Sequence, residues 1–115
     1  MIYLASPYSH PEASFREERF AQARKFVVEM IRENLVAFSP IVYAHGLAVE
    51  YNLPKGVELW WPLNADMLRH STELWVLKLD GWAESRGIAL EINAAKLLNI
   101  PVNYVDLNHF DQADE

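Results

Sequence analysis

The chain has 115 residues, 51% of them hydrophobic, with a formal net charge of −6 and no cysteine. This length supports one folded domain, predicted over residues 1–115, and the composition is that of a globular protein. The acidic balance argues against a nucleic acid polymer as partner, because neutralising phosphates requires clustered Lys and Arg, and the lack of cysteine excludes disulfides, thiolate metal sites and cysteine nucleophiles.

Short apolar segments alternate with helical patterns along the chain. In order, the pattern predicts a strand at 2–5, a helix ending at Asn34, a strand at 35–38, a loop with a short helix at 41–56, a helix at 57–70, a strand at 74–79, a helix at 85–98 and a strand at 100–105. Ser9 or Ser14, each three residues before a glutamate, is expected to cap the first helix. Pro62 is expected in a first turn or a kink.

This alternation predicts an α/β fold with a parallel sheet covered by helices on both faces. In such sheets ligands bind at the carboxyl ends of the strands. Three predicted turns, at 6–9, 39–45 and 80–87, follow strands and can therefore meet at that edge. The sequence thus predicts the functional site there.

The turn at 80–87 opens the last predicted helix. Ser85 is a good N-cap residue and Gly87 permits a close approach, so the helix N-terminus is a candidate anion site; the simpler interpretation is a helix cap alone. Glu91 shares a helix face with Gly87 and lies among apolar residues. A carboxylate in such a run is exposed, paired or functional.

Other side chains have both a chemical and a structural interpretation. Asp66 is either a solvated helix residue or a second carboxylate that divides acid–base work with Glu91. Tyr3 either orients the nucleophile or lies in the core, and Tyr8 is a candidate for stacking on a base or binding a sugar. Three tryptophans are candidates for a base pocket or for the core: Trp60, Trp61 and Trp82.

Cofactor and targeting motifs are missing from the sequence. The four histidines form no HExxH-type pair, and neither GxGxxG nor GxxxxGK[ST] occurs, so we expect no metal and no dinucleotide cofactor. No apolar run approaches the roughly 18 residues of a membrane span. The chain begins without a basic signal segment. We therefore expect a cytoplasmic protein that does not associate with a membrane.

Two segments resemble the nucleoside 2-deoxyribosyltransferase family. Residues 2–8, Ile-Tyr-Leu-Ala-Ser-Pro-Tyr, resemble its opening, and residues 85–92, Ser-Arg-Gly-Ile-Ala-Leu-Glu-Ile, resemble the signature that contains its Glu nucleophile. Asp66 stands at about the distance before Glu91 that matches the family's second active-site aspartate. The resemblance spans residues 3–102 and is strongest to short bacterial and phage members of the superfamily.

The resemblance implies a flavodoxin-like, Rossmann-type sandwich with a sheet of four to five strands, and an enzyme without cofactors. Glu91 would attack C1′ of a deoxyribosyl group, Asp66 would help to protonate the departing base, and water or a second base would release the sugar. A homodimer or homotetramer is also implied. The acidic segment 106–115 is then either a closure for a neighbour's pocket or a flexible tail.

Ser85 bears on the substrate that the resemblance implies. Transferases for free nucleosides typically have an aspartate at this position, whereas the branch that hydrolyses deoxynucleoside 5′-monophosphates has a serine that contacts the phosphate. Arg86 beside it favours a nucleotide over a free nucleoside. The predicted substrate-binding residues are Ser6, Pro7, Tyr8, Ser9, Ser85, Arg86 and Gly87.

The leading hypothesis is therefore an enzyme, hydrolase or transferase, that acts on the N-glycosidic bond of a nucleoside or nucleotide. The alternative from another class is a nucleotide-binding sensor module of the same fold without turnover. A purely structural α/β domain is a third hypothesis. The joint presence of Glu91 and Asp66 favours the enzyme, because a binding module needs neither.

Overall fold

A computed structural model describes residues 1–114 of the chain. The regular elements in order are strand β1 (Ile2–Ala5), helix α1 (Ala13–Arg32), strand β2 (Ala37–Phe38), helix α2 (Pro40–Glu50), helix α3 (Val57–Arg69), strand β3 (Glu73–Leu77), helix α4 (Arg86–Leu97) and strand β4 (Val102–Val105). Two 3-10 segments lie at Trp82–Glu84 and His109–Asp114.

The four strands form one parallel sheet in the order β2-β1-β3-β4. Tyr3 of β1 pairs with Phe38 on one side and with Leu74 on the other. The chain moves from β1 outward to β2 and then crosses back to β3, so the connections diverge above the carboxyl ends of β1 and β3. That is the switch point at which parallel sheets bind ligands.

Alternate residues of β1 enter the two apolar layers of the core. Ile2 and Leu4 belong to a cluster that includes Phe26 of α1, whereas Tyr3 and Ala5 belong to the cluster on the other face. Helices α3 and α4 contribute to this second cluster. The predicted α/β class, with a parallel sheet covered on both faces, is confirmed, and the architecture is consistent with a flavodoxin-like three-layer sandwich.

Serine side chains cap the N-termini of α2 and α4 but not that of α1. Neither Ser9 nor Ser14 caps α1, because the helix begins at Ala13 and its N-cap, Glu12, makes no side-chain cap hydrogen bond. The prediction of a serine cap there is wrong. Ser39, by contrast, accepts a hydrogen bond from the Val42 N–H at 3.1 Å and starts α2.

Helix α2 is longer than the sequence pattern indicated. The stretch predicted as a loop with a short helix contains 11 helical residues, Pro40–Glu50. Proline at the first helical position is favourable, since the N–H it lacks has no partner within the helix, and the serine before it caps the turn. Ser39-Pro40 was therefore a helix start as well as the end of a strand.

Other bounds differ by a few residues. Strand β2 is confined to Ala37–Phe38, and Val36 before it is largely exposed. Pro62 lies in the second turn of α3 and not in the first, so the Glu58 carbonyl cannot receive the usual intrahelical hydrogen bond. Gly81 has a φ of 89°, a left-handed conformation that glycine adopts without strain.

The acidic C-terminal segment returns to the core of its own chain. The Phe110 ring lies 5.3 Å from the Phe26 ring and 6.3 Å from the Trp75 ring, measured between centroids. This contact anchors the segment to the α1 face of the sheet. Closure of a neighbour's pocket by the segment stays a prediction, and Glu115 lies outside the described residues.

Candidate active site

The three turns predicted to carry the site do meet at the carboxyl edge of the sheet. Together they line a cavity of about 1320 Å³. Residues 6–10 follow β1, residues 80–87 follow β3, and the first half of α2 forms the third side. One face of α3 also lines the cavity. The order of parallel strands thus brings together segments far apart in sequence.

A buried carboxylate lies in the wall of this cavity. Glu91 of α4 is only 8% exposed, and its Oε2 accepts a hydrogen bond from the Tyr3 hydroxyl at 2.5 Å. Tyr3 comes from β1 and is fully buried. The hydrogen bond therefore fixes the position of the carboxylate relative to the sheet, and it confirms the predicted proximity of these two residues.

Burial sets the protonation chemistry of this pair. Loss of solvation raises the pKa of Glu91 to about 7, although the hydrogen bond from Tyr3 lowers it in part. Burial also raises the pKa of Tyr3, and the negative charge of Glu91 raises it further. Tyr3 is therefore a neutral donor, and Glu91 is available as a poorly solvated carboxylate at neutral pH.

The N-terminus of α4 faces the same cavity. Ser85 caps the helix, as predicted, since its Oγ accepts a hydrogen bond from the Ile88 N–H at 3.2 Å. Arg86 and Gly87 form the first turn and line the cavity. The first N–H groups of a helix have no partner within it and attract anions.

A second polar group of the cavity wall, the Ser6 hydroxyl, is unpaired. Ser6 lies in the cavity wall and is 6% exposed, and its hydroxyl has no hydrogen-bond partner among the described residues. An unpaired buried hydroxyl is costly, so a partner supplied by a ligand would offset that cost. Pro7, Tyr8 and Ser9, also predicted for substrate binding, line the cavity next to Ser6.

Two further polar side chains of the cavity wall, Tyr8 and His45, begin a hydrogen-bonded chain that ends at Glu17. The Tyr8 hydroxyl lies 2.6 Å from Nδ1 of His45, and Nε2 of His45 lies 3.1 Å from the Glu17 carboxylate. His45 is 5% exposed and stacks on Phe20 at 4.3 Å between ring centroids. The sequence prediction named Tyr8 but missed the other two residues.

Asp66 does not line the cavity. Its side chain is 52% exposed and forms an ion pair with Arg69, one turn later on α3. The cavity is lined by the opposite face of that helix, which includes Trp60, Trp61 and Asn64. Residues two positions apart on a helix differ by about 200° around its axis, so Asp66 points away from the face that carries Asn64. The structure therefore does not place Asp66 beside Glu91, and a catalytic role for Asp66 stays a prediction.

The tryptophans divide between the cavity and the core. Trp60 and Trp61 line the cavity, and the Trp60 indole N–H donates to the Pro54 carbonyl at 2.8 Å. Trp82 instead packs on Tyr104 with ring centroids 5.6 Å apart and joins the apolar cluster around Tyr3. Only the first two are therefore placed to contact a planar ligand.

One protein family matches most of the chain. The family described as a domain of unknown function, DUF1937, matches residues 1–106. The chain belongs to this family. No curated protein matches the chain.

The DUF1937 match includes every residue that lines the cavity. Within residues 1–114, no three His, Asp or Glu side chains are grouped so that they hold a metal ion, and no described helix is long and apolar enough to cross a membrane. The polar groups that line the cavity include carboxylates, hydroxyls, the buried imidazole of His45, the guanidinium of Arg86 and the N-terminus of α4.

Proposed function

We propose that the protein breaks the N-glycosidic bond of a 2′-deoxynucleoside or its 5′-monophosphate through a covalent glycosyl intermediate on Glu91. The observation that carries the proposal is a buried carboxylate, held by Tyr3 at 2.5 Å, in a cavity at the carboxyl edge of the sheet. A desolvated and oriented carboxylate is the nucleophile that retaining glycosyl transfer requires.

The resemblance to the nucleoside 2-deoxyribosyltransferase superfamily supports this chemistry. Its signature coincides with the part of α4 that faces the cavity, from Ser85 to Glu91. Its opening motif coincides with β1 and the turn that follows, which supply Tyr3 and Ser6. The two segments that carry the resemblance are thus the two segments joined by the hydrogen bond between Tyr3 and Glu91.

The reaction has two steps. In the first, a carboxylate oxygen of Glu91 forms a bond to C1′ while the C1′–N bond breaks, and the electron pair leaves with the base, which takes up a proton. In the second, water attacks C1′, loses a proton and returns the electron pair to Glu91. A second base in place of water would give transfer instead of hydrolysis.

Tyr3 supports both steps without leaving its place. Its hydroxyl donates to one carboxylate oxygen of Glu91, so the other oxygen is free to attack. Because burial raises the pKa of Tyr3, the hydroxyl keeps its proton throughout. When Glu91 regains its negative charge in the second step, the hydrogen bond stabilises it.

The N-terminus of α4 favours a phosphate on the substrate. Ser85, Arg86 and Gly87 present the positive end of the helix dipole, and the unpaired Ser6 hydroxyl lies in the same cavity. Glu91 lies four residues beyond Gly87, about 6 Å further along the helix. A nucleotide with its 5′-phosphate at the helix end would therefore have its sugar near the carboxylate.

Chromatography of free base tests the proposal. The protein is incubated with deoxynucleosides and their 5′-monophosphates, each with and without a second base. Base release without an acceptor identifies a hydrolase, and exchange that requires the acceptor identifies a transferase. The Glu91→Gln variant is the matched control, since it keeps the shape of the side chain and an acceptor for Tyr3.

A binding module without turnover gives a different result. In that case no base is released by the folded wild-type protein, and a monophosphate still raises its melting temperature. Saturable binding to both wild type and Glu91→Gln, without base release by either, would replace the enzyme hypothesis by the sensor hypothesis.

The proposal also includes a homodimer or homotetramer. Sedimentation measures this oligomeric state.

A further inference from the structure

The first step of the proposed reaction needs a proton for the departing base, and Asp66 cannot supply it from the outer face of α3. Among the described residues, a hydrogen-bonded chain runs from Tyr8 and His45, which line the cavity, to the solvent-exposed Glu17. We propose that Tyr8 is the catalytic acid and base of this site, that His45 exchanges a proton with Tyr8, and that Glu17 is a positioning residue that orients His45. This inference rests on the proposed function.

The hydrogen bonds fix the direction of this relay. A carboxylate accepts only, so Nε2 of His45 carries the hydrogen that lies toward Glu17, at 3.1 Å. Neutral His45 then accepts the Tyr8 proton at Nδ1, over 2.6 Å. Protonated His45 instead donates from Nδ1 to the Tyr8 oxygen, which leaves the hydrogen of Tyr8 free to bond elsewhere. The two states of one imidazole thus switch Tyr8 between base and acid.

The surroundings hold the imidazole in the required orientation. His45 is buried, its ring stacks on Phe20, and both ring nitrogens have partners. Glu17 is 58% exposed and connects the relay to solvent. Burial raises the pKa of Tyr8, the nearby Arg16 lowers it, and Glu17 raises it. Tyr8 therefore keeps its proton until the departing base of the substrate or His45 accepts it.

The proton balance closes over the two steps. As the C1′–N bond breaks, the Tyr8 hydrogen moves to the departing base, and the Nδ1 hydrogen of His45 moves to Tyr8. As water attacks C1′, its proton moves to Tyr8, and the Tyr8 hydrogen returns to Nδ1. The relay begins and ends in the same state, as the acid–base residue of a retaining glycosidase does.

A leaving group that needs no proton separates this role from a structural one. The test compares a purine deoxynucleoside 5′-monophosphate with its N7-methylated form, whose cationic base departs without protonation. We expect Tyr8→Phe to lower kcat/KM for the unmethylated substrate by about a hundredfold and for the methylated substrate by less than about threefold. His45→Gln should show the same split, and Glu17→Gln a smaller one.

The second step has its own readout. With the methylated substrate, Tyr8→Phe should release one equivalent of base rapidly and then turn over slowly, because water lacks its base. Azide, which attacks without losing a proton, should restore turnover in this variant and not in Glu91→Gln. Tyr51→Phe and Glu18→Gln are the matched controls, since both residues are exposed and neither lines the cavity.

The outcomes distinguish this inference from the function on which it rests. Equal losses of kcat/KM on both substrates, or no loss in Tyr8→Phe, would overturn the relay. The proposed function would still stand if base release depends on Glu91. Base release that persists in Glu91→Gln would overturn the function. If Tyr8→Phe does not fold, the split is measured in Glu17→Gln, whose exposed side chain is not part of the core.

Discussion

Glu91 and Asp66 are both carboxylates on helices that cover the same face of the sheet, yet their surroundings have little in common. Glu91 is 8% exposed and accepts a hydrogen bond from Tyr3 inside the cavity. Asp66 is half exposed and pairs with Arg69 on the outer face of α3. Burial of the side chain, and not its place in the sequence, determines which carboxylate has a raised pKa.

The difference follows from helix phase. Glu91 lies on the face of α4 that also carries Gly87 and Ala95, which packs in the core. Asp66 lies half a turn away from the face of α3 that carries Asn64. An aspartate two residues earlier on α3, at the position of Asn64, would line the cavity. The comparison can be tested by substitutions that affect one carboxylate and leave the other unchanged.

Activity should show the largest difference. Glu91→Gln removes the nucleophile, and we expect base release to fall by on the order of ten-thousandfold. Asp66→Asn breaks only a solvated ion pair, and we expect activity within about twofold of wild type. Base release by chromatography measures both. A large loss in Asp66→Asn with an unchanged melting temperature would restore Asp66 to the site.

The raised pKa of Glu91 should make stability depend on pH. Its pKa in the folded protein is about 7, above the ordinary value of 4.5, so wild type loses stability as pH rises between these values. Glu91→Gln does not titrate and should be more stable by about 3 kcal/mol at pH 8, with no difference below pH 4.5. Urea unfolding measures this, with Glu18→Gln as the control. A pH-independent difference would contradict the raised pKa.

The link from Tyr3 to Glu91 should appear in the pH profile. The nucleophile must be ionised, so kcat/KM should fall as pH drops below about 7. Tyr3→Phe removes the hydrogen bond that lowers this pKa, and the acid limb should move to higher pH, with about a tenfold loss at pH 6. An unchanged acid limb in Tyr3→Phe would mean that another group controls the profile.

Two serine caps should separate helix stability from phosphate binding. Ser85 and Ser39 each accept one hydrogen bond from a helix N–H, so Ser85→Ala and Ser39→Ala should each cost about 1 kcal/mol in unfolding free energy. Only Ser85→Ala should reduce the preference for a monophosphate over the free nucleoside. An equal loss of preference in Ser39→Ala would place the phosphate elsewhere.

Much of the fold could be predicted because its signals are local. Apolar strands bounded by turn residues predicted the parallel sheet, and the turns after strands predicted which edge carries the cavity. Strand β1 was predicted with its observed bounds, Ile2–Ala5. Helix α2 was missed because Ser39-Pro40 ends a strand and begins a helix at the same point.

The site was only partly predictable because two of its contacts depend on tertiary structure. Glu91 stood out as a carboxylate among apolar residues, and its contact with Tyr3 was one of two interpretations of that tyrosine. The chain from Tyr8 through His45 to Glu17 joins residues separated by 37 and 28 positions, and no motif marks it. One signal existed, since His45 lies among small and apolar residues of α2, but it requires that segment to be helical.

A trapped intermediate tests the role of Glu91 most directly. A deoxynucleoside 5′-monophosphate analogue with fluorine at C2′ in the arabino configuration slows both steps, because fluorine destabilises positive charge at C1′. Intact-protein mass spectrometry should then show the mass of the fluorinated sugar phosphate on wild type, located on the peptide that contains Glu91, and none on Glu91→Gln. Base release without any such adduct, or an adduct that persists in Glu91→Gln, would contradict a covalent intermediate on this carboxylate.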